Sequence, residues 1–239
     1  MLTFAGRWPS DRSRSGRPPR LAMAAAVLLL LASILPAAPA AIAPTIADAT
    51  HLAAIPASVN LAGSLESEAT AGACGDWDPS CTGSAFADQG NLVYRFDSAA
   101  IPAGDWLYKI GLGGWDENYG VGGQNGGDIP LTLATGRSVR FYYDHKTHYV
   151  ADNVRNTIYT VPGSFNGEIG CGVDWVPDCL RTFMSDADGD GVFTFVSGAI
   201  PRGDYLFKVA TNESWANPNY GVGGEDTNVP FSVPGLTTW

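Results

Sequence analysis

Two stretches of this chain, IPAGDWLYK at 101–109 and IPRGDYLFK at 200–208, differ at three positions and stand 99 residues apart. Other blocks repeat in the same order. CGDWDPSC at 74–81 lies over CGVDWVPDC at 171–179 with one insertion, and GSLESE at 63–68 lies over GSFNGE at 163–168. DIPLTL at 128–133 lies over NVPFSV at 228–233, and LVYRF at 92–96 over VFTFV at 192–196, shifted by one. GGWDENYGVGG at 113–123 returns as SWANPNYGVGG at 214–224. Self-similarity at a near-constant period marks a chain built from copies of one structural unit. The fold must therefore be one that about 95 residues can close around their own core, near the lower comfortable size for a domain.

The repeated blocks alternate with period two, as half-buried strands do. Trp106, Tyr108 and Ile110 share a face, matched by Tyr205, Phe207 and Val209. Tyr94 and Phe96 are matched by Phe193 and Phe195, and Ile129, Leu131 and Leu133 by Val229, Phe231 and Val233. No sustained 3.6-residue apolar period occurs after residue 40. Short strands separated by Gly, Pro, Asn and Asp turns predict an all-β chain of two tandem immunoglobulin-like β-sandwich modules, at 56–152 and 159–239, with separate cores. After its Pro-containing strand the first copy runs on through SVRFYYDHKTHYV at 138–150, a final strand pair, whereas the second reaches only VPGLTTW. The second module is thus expected to lack its last strands and to expose a sheet edge.

Residues 1–40 read as a secretory signal: five arginines (Arg7, Arg12, Arg14, Arg17, Arg20), the apolar run LAMAAAVLLLLASIL at 21–35, and an A-x-A site at 38–40. The run is short for a helix spanning a bilayer, which needs about 20 residues. A cut after Ala40 removes five of 14 basic residues and one of 24 acidic ones, so the remaining charge is −14. Such a surface repels phosphate, which argues against nucleic acid, or an anionic membrane once the signal is gone, as a partner. Export also favours disulfides. Cys74, Cys81, Cys171 and Cys179 allow three connectivities, of which two local pairs are preferred because each falls at the same place in its repeat.

Taken together, G-S-x-x-x-E, C-G-D-W-D-P-x-C, I-P-x-G-x-[WY]-x-[FY]-K, W-D-E-N-Y-G and F-x-Y-D-x-x-T-H resemble the accessory β-sandwich module of bacterial pullulanases and amylopullulanases. The resemblance covers 56–152 and 159–234. It implies an α-glucan context, carbohydrate binding, and a neighbouring glycoside hydrolase domain. The second copy departs from it, with Val176 where the first has Asp78, and Ala216, Asn217 and Pro218 where the first has Asp116 and Glu117.

Hydrolysis by this chain is not expected. A glycosidase holds two carboxylates across the scissile bond, and a starch-type barrel needs about 250 residues of alternating strands and helices. Asp76 with Asp78, and Asp116 with Glu117, are merely sequence neighbours. The tryptophans suggest binding instead. Trp77, Trp115, Trp175 and Trp215 fall in Gly/Asp/Pro-rich loops, where aromatic rings can stack on the C–H faces of sugars while amides and carboxylates hydrogen-bond the hydroxyls. Candidate contacts are Trp115 and Tyr119 with Asp116 and Asn118, Trp215 and Tyr220 with Asn217 and Asn219, and Trp77 with Asp76. The competing structural account is that each loop Trp plugs the end of its own sandwich while Asp and Asn make turns.

Lys109 and Lys208 lie on the polar strand face, where solvation is the commoner fate. DADGDG at 186–191 matches half of a calcium loop through Asp186, Asp188 and Asp190. Position 12, however, is Ser197, and the first copy has only ADQG, so an acidic hairpin turn is the better reading. No cofactor is expected, and His145 and His148 read as turn residues. The expectation is a secreted, non-catalytic α-glucan-binding pair, whose two weak sites, joined by the short segment 152–158, gain avidity on a repeating polymer. The alternative is a spacer or docking module that touches no sugar.

Overall fold

A computed structural model describes residues 3–7, 55–224 and 226–234. The apolar run at 21–35 and the small-residue site at 38–40 lie outside the described residues. A first strand, β1 (Thr3–Arg7), belongs to the segment read as a signal and is placed below with the second module. The first module contains β2 (Asn60–Gly63), the one-turn helix α1 (Glu66–Ala69), β3 (Ala87–Asp88), β4 (Val93–Ile101) and β5 (Gly104–Gly111). It continues with β6 (Asn118–Gly120), β7 (Gly123–Gln124), β8 (Ile129–Leu133), β9 (Arg137–Asp144) and β10 (Tyr149–Asp152).

These strands make two antiparallel sheets. One runs β10-β9-β4-β3. In the other, β5 carries β2 on one edge and, in turn, β8 and β6 on the opposite edge. Alternation decides which faces meet. Tyr94, Ile101, Val139, Phe141 and Tyr143 from the first sheet pack against Leu61, Tyr108, Ile110, Ile129, Leu131 and Leu133 from the second. Tyr108 meets Phe141 edge-on at 5.0 Å between ring centroids. Burying each such side chain contributes about 1.5–3 kcal/mol, so this aromatic and branched interface is what holds the sandwich shut.

The second module repeats the plan with β11 (Tyr159–Thr160), β12 (Val192–Val196), β13 (Gly203–Phe207), β14 (Val209–Thr211), β15 (Ser214–Tyr220) and β16 (Val229–Val233). The repeat extends to register: Trp106 faces Leu131 between β5 and β8, and Tyr205 faces Phe231 between β13 and β16. Its core holds Tyr159, Val161, Phe165, Phe195, Tyr205 and Val209, with Phe231 and Val233 partly buried against it. Among the described residues nothing after β16 takes the place of β9. The β12 edge that the sequence leads one to expect open is nevertheless covered, because β1 pairs with it along five residues.

The modules are not beads on a loose string. A third apolar cluster lies between them, built from Val93, Tyr142 and Ala151 on one side and Ile158, Leu180 and Phe183 on the other. Tyr142 stacks on Phe183, ring centroids 5.8 Å apart and planes 8° apart. Beside it Glu213, its side chain 4% exposed, accepts hydrogen bonds from Arg95 (3.1 Å), Arg140 (2.8 Å) and the Tyr142 hydroxyl (2.7 Å). The connecting segment is pinned as well. Buried Asp152 accepts from the Tyr108 hydroxyl (2.9 Å), from the backbone N–H of Val154 (2.9 Å) and from the backbone N–H of Arg155 (2.7 Å).

Replacing Glu213 with Ala leaves the Tyr142 hydroxyl without its acceptor and removes the more buried of the two carboxylates, Glu213 and Asp97, that Arg95 and Arg140 share. Both arginines are partly exposed, so the expected loss is about 1–3 kcal/mol. It should be read as a lower urea midpoint of the full chain. A midpoint equal to the parent's would mean that the clamp contributes nothing to stability.

Candidate functional site

The site begins with a glycine and a serine. Ser64 donates its backbone N–H to the Leu107 carbonyl (2.9 Å), and its hydroxyl accepts from the Leu107 N–H (3.0 Å). Ser164 does the same with Leu206, at 2.9 and 3.0 Å. The preceding glycine is obligatory at this approach, since a Cβ on Gly63 would strike the Leu107 carbonyl and one on Gly163 the Leu206 carbonyl. The carbonyl of that glycine then accepts from the N–H of a tryptophan: Gly63 from Trp77 (3.1 Å), Gly163 from Trp175 (3.0 Å). Both tryptophans have left-handed backbones, φ 59° and 61°, a conformation that costs a non-glycine residue about 1–2 kcal/mol. Such strain persists only where its surroundings impose it.

The next N–H along each loop is held from below. In the first module Glu66 accepts from the Asp78 N–H at 2.9 Å, and in the second Asn166 accepts from the Val176 N–H at 3.2 Å. Both acceptors are fully buried. Each loop is closed by a disulfide, Cys74–Cys81 and Cys171–Cys179, with Cα atoms 5.9 and 5.8 Å apart. The local pairing is thus the one found, and it limits the freedom of the Trp-bearing loop in the unfolded chain.

The loop after β5 brings a second ring to the first. Trp77 and Trp115 lie 6.4 Å apart between centroids, with planes tilted by 35°, and Trp115 is 43% exposed. In the second module the Trp215 indole N–H donates to the Trp175 carbonyl at 3.3 Å, and Trp215 is 40% exposed. Trp175 and Trp215 line an open cavity of about 200 Å³ together with Lys208 and Asn228. The Lys208 ammonium sits 6.0 Å from the Trp215 ring centroid and pairs with Asp226. Loop tryptophans far apart in sequence therefore come together in each module, ring beside ring in the first and indole N–H on backbone carbonyl in the second. Lys208, read as a solvated strand lysine, stands beside the second pair, and Asn228 was not foreseen. The only advance signal for Lys208 was its place in both copies of the nine-residue repeat.

Other candidates have structural duties. Asn118 and Tyr119 are buried, at 5% and 4% exposure, and do not face solvent. Asn118 donates to the Trp115 carbonyl (2.9 Å) and to the Asn125 side chain (2.8 Å), bracing the loop from beneath. Tyr119 stacks on His148, centroids 4.2 Å apart, and donates to Glu117 at 2.7 Å. Burial, reinforced by the Glu117 carboxylate, pushes its hydroxyl up and keeps it a donor. Asn219 and Tyr220 lie in β15, half-buried, with Tyr220 against the second core. Asp76 is exposed and accepts from the Ser67 N–H at 3.0 Å, while Asp116 lies exposed beside Trp115. The carboxylates of Asp186, Asp188 and Asp190 converge within 4.8 Å of one another. Each accepts a backbone N–H of the turn before β12, from Gly191 (3.2 Å), Asp190 (3.4 Å) and Val192 (2.7 Å) respectively.

Glu66 makes the two loops differ in their response to pH. Burial pushes its carboxyl up to about 7 from 4.5, with the Asp78 N–H bond opposing the shift. A raised acid holds its proton more tightly when folded. Its favourable contribution is therefore complete below pH 4.5 and declines as pH rises towards 7, by about 3 kcal/mol at most. Urea midpoints measured from pH 4 to 8 should fall over that window in the parent and flatten in Glu66→Gln. A parent curve already flat there would exclude the raised carboxyl.

The pullulanase X25 domain model matches residues 58–150 and again 158–238. Amylopullulanase of Thermoanaerobacter thermohydrosulfuricus is 31% identical over 187 residues, covering 74% of this chain and 12% of that protein. Amylopullulanase of Thermoanaerobacterium thermosulfurigenes is 31% identical over 154 residues, covering 60% and 8% respectively. The chain thus spans about a tenth of the length of these relatives, and the stretch they share is an accessory, non-catalytic one. Pullulanase from Bacillus acidopullulyticus overlays with a TM-score of 0.36 at 17% identity, over 66% of this chain and 28% of that one, too loose a likeness to bear on the fold. With its model matched twice along the chain, this protein belongs to the pullulanase X25 domain family.

Proposed function

We propose that the chain is an exported, non-catalytic pair of modules that binds α-glucan by aromatic stacking, as part of or beside a pullulanase-type glycoside hydrolase. The observation behind this reading is the meeting of two loop tryptophans in each module, with one ring of each pair left more than a third open to water. Exposing an indole beside a strained, disulfide-closed loop does nothing for the sandwich core. It does offer apolar faces to sugar C–H groups, and planes tilted by 35° suit a ligand that curves from one ring unit to the next. Lys208, Asn228 and Asp226 supply polar partners for hydroxyls at the second pair, and Asp76 and Asp116 at the first. An extracellular setting agrees with the disulfides, and among the described residues no helix is long and apolar enough to cross a membrane.

The clamp at Glu213 favours a second role. Two sandwiches locked through a shared apolar cluster make a stiff strut, suited to spacing or docking a catalytic domain with or without sugar contact.

Affinity electrophoresis in gels containing soluble starch or pullulan separates the two readings. Retardation of the parent is expected, with Trp115→Ala and Trp215→Ala each weakening it by roughly 5–30-fold, as loss of a stacked aromatic costs about 1–2 kcal/mol. A parent chain that migrates freely through both glucans would remove the binding reading and leave the strut.

A further inference from the structure

β12 is the second module's counterpart of β4, and the two strands are flanked alike. On one side Ser185 bridges Thr194, as Ala87 pairs with Arg95. On the other side β4 pairs antiparallel with β9, Tyr94 opposite Tyr143 and Phe96 opposite Phe141. β12 pairs antiparallel with β1, Phe193 opposite Gly6 and Phe195 opposite Phe4. Tyr94 and Phe96 are the repeat equivalents of Phe193 and Phe195. β1 therefore lies on β12 in the register that β9 takes on β4, and Phe4 holds the ladder position of Phe141. The connection is what differs. β9 follows β8 across residues 134–136, whereas β1 comes from the opposite end of the sequence.

We propose that the edge of β12 is a strand-acceptor site. It completes the second sheet by β-augmentation with an extended segment of about five residues that carries an aromatic opposite Phe195; in the uncleaved chain Thr3–Arg7 is the occupant, and removal of the export signal after Ala40 would vacate the edge. The edge sequence VFTFV holds no charge and no proline, two of the devices with which sheets protect an open edge. Main-chain hydrogen bonds give such a site its affinity, and side-chain alternation fixes its register, because a slip by one residue would turn the added strand's apolar set to the other face. Phe195, 1% exposed within the second core, marks the face that an incoming aromatic would extend. This site is separate from the tryptophan loops and stands whether or not they bind glucan.

Hydrogen exchange of the full chain, followed at Val192–Val196 with β4 as internal control, tests the assignment. Phe4→Asp should speed exchange in β12 by about tenfold or more while leaving β4 unchanged. Gly6→Tyr, which installs the residue β9 has at the equivalent position, should slow it. A synthetic peptide with the β9 sequence RSVRFYYD, added in large excess to the Phe4→Asp chain, should restore protection. Unchanged β12 exchange in Phe4→Asp, faster exchange in Gly6→Tyr, or no protection from the peptide would each overturn the proposal.

Discussion

A close approach between a glycine backbone, Gly63 in one module and Gly163 in the other, and the strand beside it recurs in both copies, and the candidate site hangs from it. The carbonyls of Leu107 and Leu206 come so near that no side chain fits. The following serine then ties the two chains with a reciprocal pair of hydrogen bonds. With the glycine fixed, its carbonyl accepts a hydrogen bond from the N–H of a tryptophan, Trp77 for Gly63 and Trp175 for Gly163, and draws that residue into the left-handed region. The strain at Trp77 and Trp175 is thus imposed by sheet packing. A ring held in this way loses little freedom when a ligand arrives, which lowers the ordering cost of any binding there.

What was legible in the sequence follows from what repeats. Which face of β5, β8, β13 and β16 turns inward could be read, because alternation with period two puts Tyr108, Leu131, Tyr205 and Phe231 on the apolar side of their strands. The meeting of Trp77 with Trp115 could not. The two belong to loops far apart in the chain, and loops carry no periodicity to say which way a side chain points. Composition actively misled at Asn118 and Tyr119. They sit in a glycine-rich stretch that looks solvent-facing, yet a short strand turns them inward, where Asn118 supports the backbone of Trp115. The clamp was invisible for another reason: Glu213 belongs to the second copy and its partners Arg95 and Arg140 to the first, so no comparison within one repeat reveals them.

At the candidate loops the copies have diverged. Beneath one loop lies a buried carboxyl, beneath the other a buried amide, each accepting the N–H after a strained tryptophan. An amide has no charge to desolvate, whereas Glu66 must keep its proton to sit comfortably in the same place. The first loop therefore rests on a buried titratable group where the second rests on a neutral amide. The second loop instead has Lys208 over its outer ring and Asp226 to hold that lysine in place. Two loops on one scaffold thus present their rings in different electrostatic surroundings.

Rigidity sets how those differences combine. Two sites on a flexible linker gain effective concentration only in proportion to how often the linker places them correctly. Here the segment after β10 is hydrogen-bonded to buried Asp152, and the modules share Tyr142 and Phe183 in one stack. A polymer that fits both tryptophan pairs at once would meet them already placed. One whose repeat does not match their separation would gain nothing from the second pair, since the clamp at Glu213 resists adjustment. Selection among polymers would then fall to the fixed angle between modules as much as to either loop alone, and that angle is set by residues that touch no ligand.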